Sequence, residues 1–222
     1  MSKYKYDHAP FETEKLIART FSKGIGLDGI AQVWGAMPIF SKQVHGTRVV
    51  WYPEDFLSDS IEADAIFTSK INCLLVIATA DCVPILIHHP KSGVIGVIHA
   101  GWRGVASNIV MHALQGLQLR NIPLAECQVW IGPHIGYTSF EVKKDVADQL
   151  IIWDSGTYAV RQNASGNFQV SLYALVVNQL RVHGVSEISG GGADTFLMRE
   201  NYYSYRRGDR NCRNYHGIGV CT

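Results

Sequence analysis

The chain has 222 residues, 47% of them hydrophobic, enough to bury a substantial core without disulfides or a structural metal. Charged residues make up 18% and the formal net charge is +1, which gives no general drive toward nucleic acid or an anionic membrane but leaves a small anionic ligand open. The cysteines (Cys73, Cys82, Cys127, Cys212, Cys221) are odd in number and scattered, no secretory leader precedes them, and the longest apolar runs are strand-length. A soluble cytoplasmic protein without a membrane span is therefore expected.

The opening residues, to about Pro10, show no clear period, and a first element of undefined type begins near Phe11. β-Branched and aromatic residues predict strands at 47–52 and 65–68. The densest strand region follows at 73–79, 83–88 and 94–98, where near-continuous apolarity implies burial on both faces, and residues 89–93 form a hairpin turn. Residues 105–119 place Ile109, His112, Ala113, Gly116 and Leu117 on one helical face. A strand at 128–131, a helix at 142–153 facing Val146, Leu150 and Trp153 inward, and a helix at 171–182 with Ser171 as N-cap and Gly184 as stop complete the reading. The glycines at 190–192 predict a tight loop, since no helix pattern follows to make a phosphate cradle. Without repeats or linkers, one domain is expected over residues 1–222.

Three soft-metal ligands fall at strand ends: His45 in Lys42-Gln-Val-His45-Gly46, Cys82 in Thr79-Ala-Asp81-Cys82, and His99 in His99-Ala-Gly-Trp-Arg103-Gly104. Two imidazoles and one thiolate match a catalytic zinc site, which takes three protein ligands and keeps the fourth position for water or substrate. In the competing reading, Cys82 is a small buried hydrophobe and both histidines are hydrogen-bonded core residues. The polar or glycine neighbours Gly46, Asp81, Gly101 and Arg103 favour exposed turns and hence the site. Asp81 and Asp64 could each orient a ligand histidine or move a proton, or could be turn carboxylates bonded to backbone. Tyr203-Ser-Tyr-Arg206-Arg207, with Arg210 and Arg213, outlines either an anion site or a solvated face. His112 reads as structural and His134 is left open.

Taken in order, Gln43-Val-His45-Gly46, Ala63-Asp64, Thr79-Ala-Asp81-Cys82-Val-Pro84, His99-Ala-Gly-Trp-Arg103-Gly104, Ile131-Gly-Pro133, Phe140-Glu-Val142 and Tyr203-Ser-Tyr-Arg206-Arg207 resemble the YfiH family, also called the laccase-domain or multicopper polyphenol oxidoreductase family. The resemblance runs from about Gln43 to Arg213. It implies an α+β fold of mixed sheets covered by helices, with zinc held by His45, Cys82 and His99. It also implies phosphorolysis of purine nucleosides (adenosine, inosine, guanosine, methylthioadenosine) and deamination of adenosine. The copper-oxidase reading is set aside, because that chemistry needs four coppers and many histidines, usually as His-x-His, whereas this chain has nine histidines and no such pair.

Three departures from the family pattern stand out. Phe21-Ser-Lys-Gly24 replaces Phe-Ser-Thr-Arg and the loop after it is short, Asp194-Thr195 replaces Cys-Thr, and Cys212-Arg213 replaces Gly-Arg. The resulting expectation is a zinc-dependent purine nucleoside phosphorylase with adenosine deaminase activity. Cys82, Asp81, Asp64 and Arg103 are its catalytic candidates; Arg48, Arg206, Arg207 and Arg213, with Arg103, are its candidates for holding phosphate. One alternative is an editing hydrolase that removes L-serine from a muramoyl-L-serine peptidoglycan precursor with Cys82 as nucleophile; another is a metal-binding protein that has lost catalysis.

Overall fold

In the computed structural model, which describes residues 7–21, 23–58 and 60–221, the chain opens with β1 (Asp7–His8), β2 (Leu16–Phe21) and α1 (Leu27–Trp34). The central strands follow as β3 (Val49–Trp51), β4 (Ala65–Thr68), β5 (Cys73–Thr79), β6 (Val83–His89) and β7 (Val94–Ala100). Next come α2 (Trp102–Ala106), α3 (Ile109–Gln118), β8 (Gln128–Ile131), β9 (Glu141–Val142) and α4 (Lys144–Leu150). The last elements are β10 (Val160–Gln162), β11 (Phe168–Val170), α5 (Leu172–Val182), β12 (Glu187–Gly190) and β13 (Asn214–Val220).

The strands form a six-stranded sheet β12-β8-β6-β7-β4-β3, a four-stranded sheet β1-β2-β13-β5 and a small sheet β10-β11-β9. The fold is α+β, with the two larger sheets face to face. Alternation along each central strand shows how. Ile66, Leu86, Ile95 and Val97 meet Leu16, Ala18, Leu75, Ile77 and Ile218 of the four-stranded sheet. Their neighbours Ala65, Phe67, Ile85, Ile87, Val94 and Ile98 meet Val105, Ile109, Leu114, Leu175 and Leu180 of the helices on the opposite face. Successive strand residues point to opposite faces, so a sheet covered on both sides needs an unbroken apolar run, as these strands have. α1 covers the outer face of the four-stranded sheet through Ile30, against Phe21, Leu74 and Val76.

Several sequence expectations change. The helix at 105–119 is two helices, because Asn108 adopts a left-handed conformation (φ 58°, ψ 51°) and its side chain caps α3 by accepting the Met111 N–H. The helix at 142–153 begins at Lys144, since Val142 is taken into β9 beside Phe168, and it ends in a 3-10 turn over Ile151–Trp153. Ser171 does cap α5, accepting the Ala174 N–H. Gly190 is the last residue of β12, which lies parallel to β8, rather than part of a loop alone. The element of undefined type expected near Phe11 is β2, starting at Leu16, whereas β1, α1, β10, β11, β12 and β13 have no counterpart among the sequence expectations.

The functional consequence lies in one crossing. β5 belongs to the four-stranded sheet and β6 to the six-stranded one, so the three residues between them, Ala80 to Cys82, bridge the sheets at one end of the sandwich. β7, antiparallel to β6, ends at that same end and delivers His99 there.

Candidate metal centre

The Gln43 side chain pairs with the backbone of Ala78 in both directions, Nε2 donating to the carbonyl and Oε1 accepting the N–H, each at 2.8 Å. This hangs the 43–46 turn on the end of β5. Asp64, wholly buried, then accepts the N–H groups of Val44 (3.3 Å), His45 (3.0 Å) and Gly46 (2.7 Å). These bonds sustain the positive φ of His45, 58°, a conformation a non-glycine residue keeps only when its surroundings hold it there. Asp64 Oδ1 also accepts the His99 Nδ1–H at 2.8 Å. One carboxylate thus sets the turn that carries His45 and fixes the ring of His99, whose Nε2 is left for other use.

His45, Cys82 and His99 come together, each offering one ligand atom within 4.8 Å of the others; the two imidazoles meet edge to face with centroids 4.7 Å apart. They are a possible three-ligand metal group among the described residues. This spacing is within reach of one ion that took all three atoms as ligands. Gly101 keeps the cradle open: a Cβ there would stand 2.6 Å from His45 Nδ1 and 3.1 Å from Cys82 Sγ.

Charge within the group prepares the thiolate but also keeps on His99 a proton that a metal would displace. Burial pushes the Cys82 thiol up, but His99 and His45 more than offset this and bring it down to about 6. Burial pushes His99 down, while Cys82 and Asp64 pull it well above its ordinary value. Burial likewise works against the charge of Asp64, yet the bonds from His99, Gly46 and Val44 leave its carboxyl below the usual range. The thiolate that a metal requires is therefore already favoured at neutral pH.

The group opens into a cavity of about 540 Å³, walled by Trp102, Phe140, Leu172 and Tyr205 and rimmed by Arg103, Arg206 and Arg213. Arg103 lies over the Trp102 ring (4.4 Å) and Arg206 over Phe140 (5.3 Å). The other two arginine candidates lie elsewhere. Arg48 is exposed beside Glu62 and does not line the cavity. Arg207 spends its guanidinium on the carbonyls of Thr195, Phe196 and Tyr202 and on Asp209. Asp81 lines the cavity, its carboxylate bonded to Thr195 and to the Arg206 backbone. His134 is buried, its Nδ1 within 2.8 Å of the Gly132 carbonyl. His112 is half-buried on α3.

Of the departures noted above, Asp194 accepts the Ser139 hydroxyl and the Phe196 N–H, while Ser22 lies outside the described residues. Two supporting side chains were not among the site candidates, although Gln43 belongs to the Gln43-Val-His45-Gly46 motif. Gln43 braces the His45 turn, and buried His216 joins the hydroxyls of Thr20 (2.7 Å) and Thr79 (2.8 Å).

Fold and site together define an α+β protein with a His-Cys-His group in an arginine-rimmed cavity. The family described as multi-copper polyphenol oxidoreductase laccase matches residues 29–220, and the chain belongs to that family. It is 32% identical over 179 residues to a purine nucleoside phosphorylase of Haemophilus influenzae, covering 79% of this chain and 71% of that one. It is 37% identical over 188 residues to a purine nucleoside phosphorylase of Xylella fastidiosa strain Temecula1, covering 80% and 70%. In fold it resembles YlmD from Geobacillus stearothermophilus, with a TM-score of 0.87 at 24% identity, covering 100% of this chain and 98% of the other. The relatives' names point to an enzyme of nucleoside phosphorolysis, and no helix among the described residues is long and apolar enough to cross a membrane.

Proposed function

We propose that this chain is a single-domain, zinc-dependent purine nucleoside phosphorylase that also deaminates adenosine. The observation carrying the proposal is that a ligand set suited to zinc and three arginines line one cavity. His45, Cys82 and His99 would hold the ion, and zinc would supply a Lewis acid and a water acidified toward neutrality. Phosphorolysis joins a phosphate oxygen to the ribose C1′ as the glycosidic bond to the base breaks, with the electron pair leaving on the base. The phosphate must be held against C1′ by cations, the role given to Arg103, Arg206 and Arg213. The Trp102 and Phe140 rings offer apolar faces for the base. Asp64 keeps the ligand turn and the His99 tautomer in place and, fully buried behind them, acts through these residues.

Phosphate is consumed only by phosphorolysis, whereas deamination uses water. Removing Arg103 or Arg206 should therefore weaken phosphate-dependent adenine release by ~2 to 4 kcal/mol in kcat/KM for phosphate and leave inosine formation much less affected. Measuring both products from adenosine across a phosphate series tests this. Parental phosphate dependence in both alanine variants would remove the anion assignment, and a parent that releases neither product would remove the nucleoside reading. A second reading has its own support. Asp64, His99 and Cys82 are linked in the order of a carboxylate-imidazole-thiolate triad, the arrangement of a cysteine hydrolase such as one acting on a muramoyl-L-serine precursor. Serine release from such a precursor, followed by mass, distinguishes it.

A further inference from the structure

Asp81 stands next to ligand Cys82 and lines the cavity, where a carboxylate invites assignment as an acid or base. Its contacts indicate another role. Oδ1 accepts the hydroxyl of the wholly buried Thr195 at 2.7 Å, and Oδ2 accepts the backbone N–H of Arg206 at 2.7 Å. Its carbonyl accepts the Ile135 N–H at 3.0 Å. The residue has φ 91°, a region that costs a non-glycine residue on the order of 1–3 kcal/mol and persists only where several contacts over-determine it. The tied partners lie 114 and 125 residues further along the chain, so this one carboxylate joins the sheet-bridging turn to the C-terminal loop.

Arg206 is consequently fixed at both ends. Asp81 holds its backbone, while its Nη1 donates to the Glu141 carbonyl at 2.8 Å with the guanidinium over Phe140. Neighbouring Arg207 locks the remainder of the loop from inside. We propose that Asp81 is a positioning residue that sets the Arg206 guanidinium at a fixed separation from the metal group, rather than the residue that transfers the proton. The identity of the anion as phosphate rests on the function proposed above; the positioning role does not depend on turnover.

Substitution separates the two roles. In Asp81→Asn the amide oxygen can accept the Arg206 N–H while its NH2 donates to the Thr195 hydroxyl, which accepts as readily as it donates. The tie survives and the exchangeable carboxylate proton does not. Asp81→Ala removes both bonds. The test is binding of inorganic phosphate by calorimetry to the full zinc-loaded chain, alongside zinc content and phosphate KM. Asp81→Asn should bind phosphate like the parent. Asp81→Ala should bind it on the order of 10- to 100-fold more weakly with its zinc retained, the scale of effect for misplacing a group by about 1 Å.

Equal phosphate binding in the alanine variant, or an asparagine variant as impaired as the alanine one, overturns the proposal. Should Asp81→Ala fail to fold, Thr195→Val removes one tie without touching charge; it should weaken phosphate several-fold, and parental binding there counts against the proposal. A parent that binds phosphate with this pattern but releases no adenine keeps the positioning role and rejects the phosphorylase reading.

Discussion

Replacing Gly101 with alanine should abolish tight metal binding while leaving the fold intact. The backbone of Gly101 sits at φ −71°, ψ 165°, an extended conformation that alanine adopts without strain. The obstacle is the new methyl. It would lie 2.6 Å from His45 Nδ1, about 0.8 Å inside the 3.4 Å where ordinary contact begins, and 3.1 Å from Cys82 Sγ. Cys82 is tied into the bridge between the two sheets, whereas His45 is exposed on a surface turn, so the imidazole is the group that yields. Swinging it toward solvent should cost no more than about 1 kcal/mol, the low end of what overpacking a core costs. Metal ligation tolerates only ~0.2 Å, so a displacement several times larger removes one ligand of three. Zinc affinity should fall at least 10- to 100-fold, the range seen for disturbing the partners of metal ligands. In chelator the melting temperature should stay within about 4 °C of the parent, since 1 kcal/mol shifts a protein of this size by ~2 to 4 °C. Competition against a chelating dye gives the affinity, and calorimetric melting of the metal-free pair gives the stability. Parental zinc affinity in Gly101→Ala would refute the geometry of the site, and a collapsed melting temperature would refute the argument that His45 gives way.

Three further outcomes follow from particular contacts. Metal binding shields a thiolate that is otherwise favoured at neutral pH, so iodoacetamide should label Cys82 slowly in the zinc-loaded protein and quickly after chelation; fast labelling with zinc still bound would favour a free nucleophile. Arg207→Ala should destabilise the chain by about 2 to 4 kcal/mol by orphaning carbonyls and the Asp209 carboxylate, whereas exposed Arg206→Ala should hardly move the melting temperature; equal shifts would contradict the division of labour. Burial between the sheets, with His99 and His134 nearby, holds His216 down to about 3. The unfolded chain therefore takes up a proton near pH 6.5 that the native state refuses. The His216 contribution to stability is complete above pH 6.5 and is lost as pH falls from there toward 3, by about 1.4 kcal/mol per pH unit. Melting the metal-free parent and His216→Gln across that window should give the shallower slope in the variant, and identical slopes would refute the assignment.

The sequence by itself determined much of the core and singled out the His-Cys-His group that the fold brings together. Strands buried on both faces must be apolar throughout, so β4 to β7 were legible from residue type alone, and the turn chemistry at their ends exposed His45, Cys82 and His99 as unusual. Ser171 and Gly184 marked α5 because caps act locally. Pairing across the chain was not legible. β2 and β13 carry polar residues such as Thr20, Asn214 and His216 in the interior, made tolerable by His216 bridging Thr20 and Thr79 of the neighbouring strands and by Asn214 pairing with the backbone of Tyr203 in the C-terminal loop, and α3 starts where Asn108 turns left-handed, which no periodicity announces. The same limit divided the arginines. Arg206 and Arg207 are adjacent and chemically alike, yet one faces the cavity and the other binds carbonyls beneath the loop. The two carboxylates divide in the same way, Asp64 behind the ligands and Asp81 tied to the C-terminal loop. Residue chemistry named the groups able to bind metal and anion, but only long-range packing, which sets where each polar atom finds its partner, decided which of them remained free to do so.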